Sequence, residues 1–405
     1  MMILIHMAWR NIWRNKLRSL IIMISIIIGL FAGLSVLSLY KGMMSNRIRT
    51  VIDNEIGHLQ IHAKGFMQEK EVSMILTDQN DIIEKLHTDK NIKSFTARTL
   101  TSGMLSAASG TSGVMINGIE PNTEYRVSGI HTKIINGHLF TKKKNEILVG
   151  KKLAEKLKLK TGIKIVLTFT DSSNTLISSA FRVAGIYRTV NAPLDERNVY
   201  IEKNELNELL GIGNSTHEIA IILKQDNQTE AMARKLKDKF KKLHVADWKE
   251  LSPETNLLVK TVDEYSLIII IIIMLALAFG ITNTMLMAVL ERRREIGMIM
   301  ALGMSTLSIN LLIILECILL TLTGTPLGLL IAWLTIGYFN RAGIDFSNMG
   351  RDLMSSFGFG NKIYPEFPAD KIGVIMGIVI TTALLSSLIP LIKTLKMKPA
   401  ASIKL

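Results

Sequence analysis

The side chains best placed to do chemistry lie in one run, Glu291-Arg-Arg-Arg-Glu295-Ile-Gly297, continuing to Ala301-Leu-Gly303. An uncharged stretch long enough to cross a bilayer stops at Glu291, and an apolar stretch resumes at Ile296. Arg292, Arg293 and Arg294 alone would fix which side of the membrane this segment occupies, and carboxylates add little to that. Glu291 and Glu295 therefore point to a surface that reads a specific partner, with Gly297 and Gly303 bracketing a short helix over residues 298–302. Such a device transmits movement; it does not make or break bonds. Two further polar groups stand in apolar surroundings. Glu316 is the only charge between residues 296 and 340, and is expected to be protonated or paired with a basic residue near the inner interface. Asn283, between Thr282 and Thr284, is expected to hydrogen-bond to a neighbouring helix, with a substrate contact as the alternative.

Catalytic patterns are missing. The chain has no Gly-x-x-x-x-Gly-Lys-Ser/Thr loop, since Gly150-Lys151-Lys152 lacks the first glycine and the hydroxyl, so it does not bind ATP by that route. There is no His-Glu-x-x-His, Gly-x-Ser-x-Gly or metal-spaced His/Cys cluster. Cys317 is the single cysteine, which excludes an intrachain disulfide. The eight histidines are scattered, and His58 and His62, four apart on a strand-like segment, read as surface residues. A net charge of +14 raises the question of nucleic acid, but the excess sits in membrane-flanking clusters and Lys-rich helices, and no nucleic-acid partner is expected.

The elements that must position these residues follow from composition. With nearly half its 405 residues apolar and a mean hydropathy of +0.31, the chain is too apolar for a soluble enzyme and too charged for a purely embedded protein. Four stretches can span, which gives a polytopic α-helical membrane protein with one helix, a large mixed α/β domain, then three helices. The expected divisions are an amphipathic helix over 1–19, spans at 20–42, 263–290, 305–339 and 371–393, and the domain over 43–262. Residues 291–304 form the charged connection, 340–370 an outer loop and 394–405 a basic tail. The basic short segments, with Arg10, Arg14, Lys16 and Arg18 at one end and Lys393, Lys396, Lys398 and Lys404 at the other, put both termini in the cytoplasm and the domain outside. Residues 1–19 place Trp9 and Trp13 at headgroup level and their basic side chains towards anionic lipid, or serve only to fix topology. The first span reads as an uncleaved anchor.

Within the outer domain, strands are expected at 58–63, 113–119, 164–170, 181–187 and 219–223, and helices at 80–87, 151–157, 203–210 and 228–242, with a possible division into two lobes. Residues 248–264 are expected to run as a helix straight into the second span. Glycine pairs four apart, Gly29/Gly33, Gly324/Gly328 and Gly373/Gly377, suit close helix packing within a bundle or dimer.

The run Asn283-Thr-Met, Glu291-Arg-Arg-Arg-Glu295-Ile-Gly297 and Ala301-Leu302-Gly303 resembles the signature of ABC-transporter permeases of the FtsX/MacB/LolC-LolE type. Residues 8–18, Glu316 with Gly324 and Gly328, and Ile389-Pro390 with Lys398-Pro399-Ala400 are similar to other parts of that family. The stretches 57–62, 114–120, 146–154 and 181–187 look most like its lipoprotein-releasing LolC/LolE branch. The resemblance implies a non-catalytic permease subunit of the bacterial inner membrane, its domain periplasmic. The segment from Glu291 to Leu302 would be a coupling helix seated on a cytoplasmic ABC ATPase dimer, which binds ATP and Mg in its place. Its other partners would be a second subunit, identical or homologous, and a periplasmic acceptor. The cargo would be a lipoprotein or another hydrophobic molecule, drawn from the outer leaflet into a cleft between the two subunits' first and second spans, with Met23, Phe31, Met43, Met274 and Phe279 either lining it or facing lipid and neighbouring helices. The alternatives are an efflux or mechanotransmission permease for a peptide, drug or cell-wall enzyme, and a stand-alone membrane sensor.

Overall fold

The computed structural model describes residues 2–14, 16–141, 143–347, 354–356, 358–360 and 362–395, without the side chains of Arg18, Val262 and Asp263. The expected tail motif Lys398-Pro399-Ala400, with Lys396 and Lys404, lies outside these residues. The chain divides into a membrane unit, residues 1–44, 259–344 and 363–405, and an outer unit, residues 45–258 and 345–362.

Among the described residues, four helices are long and apolar enough to cross a membrane: Ser19–Ile56, Pro253–Glu291, Thr306–Ala342 and Ala369–Thr394. The first two, at 38 and 39 residues, rise about 57 Å, against a hydrocarbon core of about 30 Å, so each continues well beyond one bilayer face. The bundle core is formed by Ile26, Leu30 and Leu34 of the first span, Leu277 and Ile281 of the second, Cys317 and Leu320 of the third, and Val379 and Ala383 of the fourth. Two glycine pairs sit at close approaches. A Cβ on Gly29 would meet the Leu277 side chain at 2.7 Å, and one on Gly33 would meet Ile273 at 3.3 Å, so the second span packs there. Gly324 and Gly328 do the same for the third span against Ile26 and against Leu30 and Ile27. The third pair differs from the other two: nothing in the described chain lies within 4 Å of a Cβ on Gly373 or Gly377, so of the two kinds of packing expected, bundle or dimer, the first is not made by this pair.

The outer unit holds strands β1 (Leu59–Ala63), β2 (Ile92–Ala107), β3 (Gly110–Ile119), β4 (Ile134–Gly137), β5 (Glu146–Gly150), β6 (Lys164–Thr170), β7 (Leu176–Tyr187), β8 (Asn198–Glu202), β9 (Glu218–Leu223) and β10 (Leu243–Asp247). The 16-residue β2 belongs to both lobes. Its first half pairs with β9, which pairs with β1, which pairs with β10; helices Gln79–His87 and Thr229–Lys239 contribute to the core of that lobe. Its second half enters a closed ring of six strands, β2-β3-β8-β5-β7-β6 and back to β2. Alternation decides which side chains fill the ring: in β6, Ile165, Leu167 and Phe169 point in, with Lys164 and Val166 on the other face. The two lobes have separate apolar cores.

One junction differs from expectation. The helix Trp248–Leu251 stops at Ser252, and a new helix runs from Pro253 to Glu291. Pro253 has no amide hydrogen and disfavours helical geometry in the residue before it, so Ser252 takes φ −126° and ψ 76°.

Candidate coupling site

The short helix is longer than the glycine spacing indicates. It runs Arg293–Ala301 with Gly297 buried inside it, so the expected start at residue 298 is corrected. Its end is set by Gly303, whose φ of +100° only glycine adopts without strain. There the amides of Gly303 and Met304 bond back to the carbonyls of Met300 and Ile299.

Geometry divides this helix into two faces. On one, Glu295 accepts hydrogen bonds from Arg14 of the N-terminal helix Met2–Arg14 and, at 3.2 Å, from Nε of Arg292. Arg292 Nη1 also reaches Glu316 at 3.2 and 3.5 Å, and Glu316 accepts from Nδ2 of Asn11 at 2.7 Å. A continuous chain, Arg14–Glu295–Arg292–Glu316–Asn11, thus joins three helices and the connection between them. Burial pushes the Glu295 pKa up, but the hydrogen bonds from Arg14 and Arg292 outweigh it and hold the carboxylate below its usual range. On the other face Arg294, Met298, Ala301 and Leu302 are exposed at helical spacing, with Met298 52% and Leu302 88% accessible. Ile296 and Met300 pack on the bundle core. Glu291 and Gly303 are exposed, and Nε of the half-buried Arg293 has no hydrogen-bond partner among the described residues.

Other expected site residues are placed differently. Asn283 is on an exposed face, and the described chain shows no hydrogen bond from it to another helix. Its neighbour Thr282 makes the interhelical bond instead, donating to the Ser386 carbonyl at 3.2 Å. Of the expected cargo-lining residues, Met274 is buried, and Met23 and Phe31 are partly buried against the bundle core. Met43 is half-buried, and Phe279, 78% accessible, projects outwards. The seam between the first and second spans, bordered by Gly29, Gly33 and Met274, encloses only about 10 Å³.

The outer unit holds a polar cluster that the sequence reading missed. Arg98 on β2 is buried, bonds bidentately to Glu124 at 2.8 Å and to Glu218 of β9 at 2.8 Å, and donates to the Glu55 carbonyl at 3.3 Å. Burial disfavours the charged Glu124, but Arg98 holds its carboxyl below the usual range. His58 and His62, read from sequence as surface residues, are 2% and 1% accessible, so that reading is corrected. Phe66 stacks between the rings of His62 and His217, at 5.5 and 5.1 Å. His217 is fixed as the Nε2–H tautomer, since Nδ1 accepts from the Leu100 amide at 3.0 Å and Nε2 faces the Val72 carbonyl at 2.9 Å. Burial keeps both imidazole pKa values below the ordinary one. A cavity of about 260 Å³ opens beside Gln60, His62, Arg98 and Glu218. Among the described residues no group of three or more His, Cys, Asp or Glu could hold a metal ion.

Comparison with known proteins places this architecture. Residues 19–239 match the MacB-like periplasmic core domain, and residues 267–399 match the FtsX-like permease C-terminal family. An uncharacterised ABC transporter permease of Methanocaldococcus jannaschii is 29% identical over 159 residues, which are 37% of this chain and 39% of that relative. Among solved structures, the extracellular domain of the noncanonic ABC-type transporter YknZ from Gram-positive bacteria is 17% identical. It covers 47% of this chain and 99% of its own, with a TM-score of 0.33. The periplasmic region of MacB from Actinobacillus actinomycetemcomitans is 14% identical and covers 55% and 95%, with a TM-score of 0.35. With four membrane-crossing helices and a periplasmic-type α/β domain between the first and second, the chain belongs to the FtsX/MacB-type family of ABC-transporter permeases.

Proposed function

We propose that this chain is a permease subunit that hydrolyses no ATP itself and couples a cytoplasmic ABC ATPase dimer, which binds ATP and Mg²⁺, to work outside the membrane. The observation that carries this reading is the two-faced helix Arg293–Ala301. Its inner face is tied by ion pairs to the N-terminal helix and the third span, and its outer face presents Arg294, Met298, Ala301 and Leu302 to a partner. A force applied to the exposed face reaches the bundle through bonds and packed side chains already in place. The helix Pro253–Glu291 carries it towards the outer unit without a break. The charged end of the bundle lies in the cytoplasm of a bacterial cell and the outer unit in the periplasm. Asn283, exposed in an apolar setting, and the open Gly373/Gly377 face of the fourth span suit contact with a second permease subunit.

The cargo we infer is a lipoprotein, extracted from the inner membrane for transfer to the outer membrane, on the resemblance of the outer-domain stretches. One observation favours a second reading. The first and second spans pack with almost no space between them, which suits a machine that moves its outer domain without passing cargo through the bundle.

Affinity purification in mild detergent, with an ATPase assay, tests the coupling. Leu302→Asp together with Met298→Asp places charge at two exposed apolar positions and is expected to weaken association with the ATPase at least tenfold. Purification without any nucleotide-binding partner would sink the reading. Unchanged delivery of lipoproteins to the outer membrane after depletion would leave the second reading in its place.

A further inference from the structure

A cavity of about 180 Å³ lies beside the coupling site, between the N-terminal helix, the inner end of the second span, the short helix and the third span. Its walls are mostly apolar and adaptable, with Met7, Met285, Ala288 and Ile299 among them. Arg10 and Arg14 stand at its border, both on exposed positions of the N-terminal helix. The charges around it do not cancel. Arg10, Arg14 and Arg292 supply three positive groups, and Glu295 and Glu316 two negative ones, all of them lining residues. Both carboxylates are engaged by Arg14 and Arg292. Arg10 has no hydrogen bond or ion pair among the described residues. The same helix exposes Trp9 and Trp13, packed edge to face at 5.9 Å, which suit the headgroup level of a bilayer.

An apolar cavity with one surplus cation, at the membrane surface, matches one ligand chemistry: an anionic headgroup followed by a hydrocarbon chain. Basic pockets between membrane helices take such lipids. The volume slightly exceeds the roughly 150 Å³ that accommodates a benzene ring in an apolar core, so the site takes the head-proximal part of one acyl chain. We propose that this cavity binds an anionic phospholipid from the adjoining leaflet, with its phosphate on Arg10 and the start of one acyl chain between Met7, Met285 and Ala288. The lipid then fills the wedge between the N-terminal helix and the coupling helix, and its presence favours the joined state of the two. The inference rests on the charged end of the bundle lying at a membrane surface. It does not need the ATPase, so the two readings fail separately.

The test is native mass spectrometry of the full chain in detergent, without ATPase, after addition of phosphatidylglycerol or phosphatidylcholine. Wild type is expected to retain phosphatidylglycerol in preference, and Arg10→Gln to lower that preference about fivefold, the effect of one basic side chain at an anionic surface. Ala288→Phe fills the cavity and is expected to lower retention of both lipids. Should Ala288→Phe fail to elute as a folded species, Arg10→Gln decides alone. Equal retention of the two lipids by wild type would overturn the proposal, as would wild-type retention by both variants. Displacement of the lipid by excess inorganic phosphate would assign the site to a free anion. Displacement on adding the ATPase would assign the cavity to that protein.

Discussion

Glu316→Gln separates a working ion-pair chain from an incidental cluster of charges. The carboxylate is 14% exposed, accepts from Asn11 at 2.7 Å and meets Arg292 at 3.2 Å. Glutamine keeps the volume and an acceptor for Asn11 but removes the charge that faces Arg292. Breaking a fully buried ion pair costs about 3–5 kcal/mol, and a hydrogen bond to a charged group contributes about 1.5–3 kcal/mol. The Arg292 pair does not reach the N-terminal helix, so docking loses only the charge on the acceptor of Asn11, and a hydrogen bond to a neutral amide contributes about 0.5–1.5 kcal/mol. That leaves about 1–2 kcal/mol for docking of the N-terminal helix, a factor of about 5–30 in the undocked population. The assay is thiol labelling of Ile12→Cys in a Cys317→Ala background. Ile12 is 5% accessible on the docked face, so its labelling rate follows the undocked fraction. Glu316→Gln is expected to raise that rate by about the same factor. Glu295→Gln should raise it about fivefold or less, because its pairs with Arg14 and Arg292 are partly exposed and such pairs contribute about 0.2–1 kcal/mol. An unchanged rate in Glu316→Gln, or a larger effect in Glu295→Gln, refutes the reasoning.

Three further outcomes are expected. Arg98→Ala strands Glu124 and Glu218 in the interior and should lower the stability of the outer unit by about 3–5 kcal/mol, read from the fluorescence of the buried Trp248 during chemical unfolding. Asp195 is buried, which pushes its pKa up to about 6 despite hydrogen bonds from Thr189. A raised carboxyl pKa contributes stability that is present below the unfolded value near 4 and is lost as pH rises through about 6. Asp195→Asn should therefore remove about 2–3 kcal/mol of pH dependence across that window, seen in melting of the full chain at several pH values. Gly328→Leu drives a side chain against Leu30 and the Ile27 backbone and should lower the melting temperature of the bundle. Gly373→Leu meets nothing within 4 Å, and should leave the single chain intact while weakening any self-association through that face.

Period and punctuation made several elements legible in the sequence. Residues 164–170 are rich in β-branched side chains with Ile165, Leu167 and Phe169 two apart, and β6 occupies them; the uncharged runs became long helices because nothing but a helix satisfies their backbone in lipid. The 16-residue β2 escaped, although it joins both lobes. Its first half pairs with β9 and its second with β3 and β6, so its burial follows two different environments and the period-2 signal breaks midway. Arg98 escaped for a related reason. A charge in a strand reads as solvent-facing, and only Glu124 and Glu218, 26 and 120 residues away, make its burial tolerable. His58 and His62 escaped likewise, since their partners Asp226 and the His217 carbonyl are distant in sequence.

The two acids of the charged block were the ground for expecting a partner-reading surface, because orientation does not require them. In the folded chain Glu295 is spent internally, on Arg14 and Arg292, and Arg292 passes the contact on to Glu316. What the exposed side offers a partner is Arg294 beside an apolar tip of Met298, Ala301 and Leu302. The alternating signs thus do two jobs on two faces of one helix. The inner charges hold the N-terminal helix and the third span to it, weakly at the half-exposed Arg14–Glu295 pair and more strongly at the largely buried Arg292–Glu316 pair. The outer residues offer shape and hydrocarbon, which supply most of the free energy in the core of a protein interface. A helix built this way can be pushed by a partner without its charges being pulled from their own bundle, which is the mechanical requirement for passing movement on.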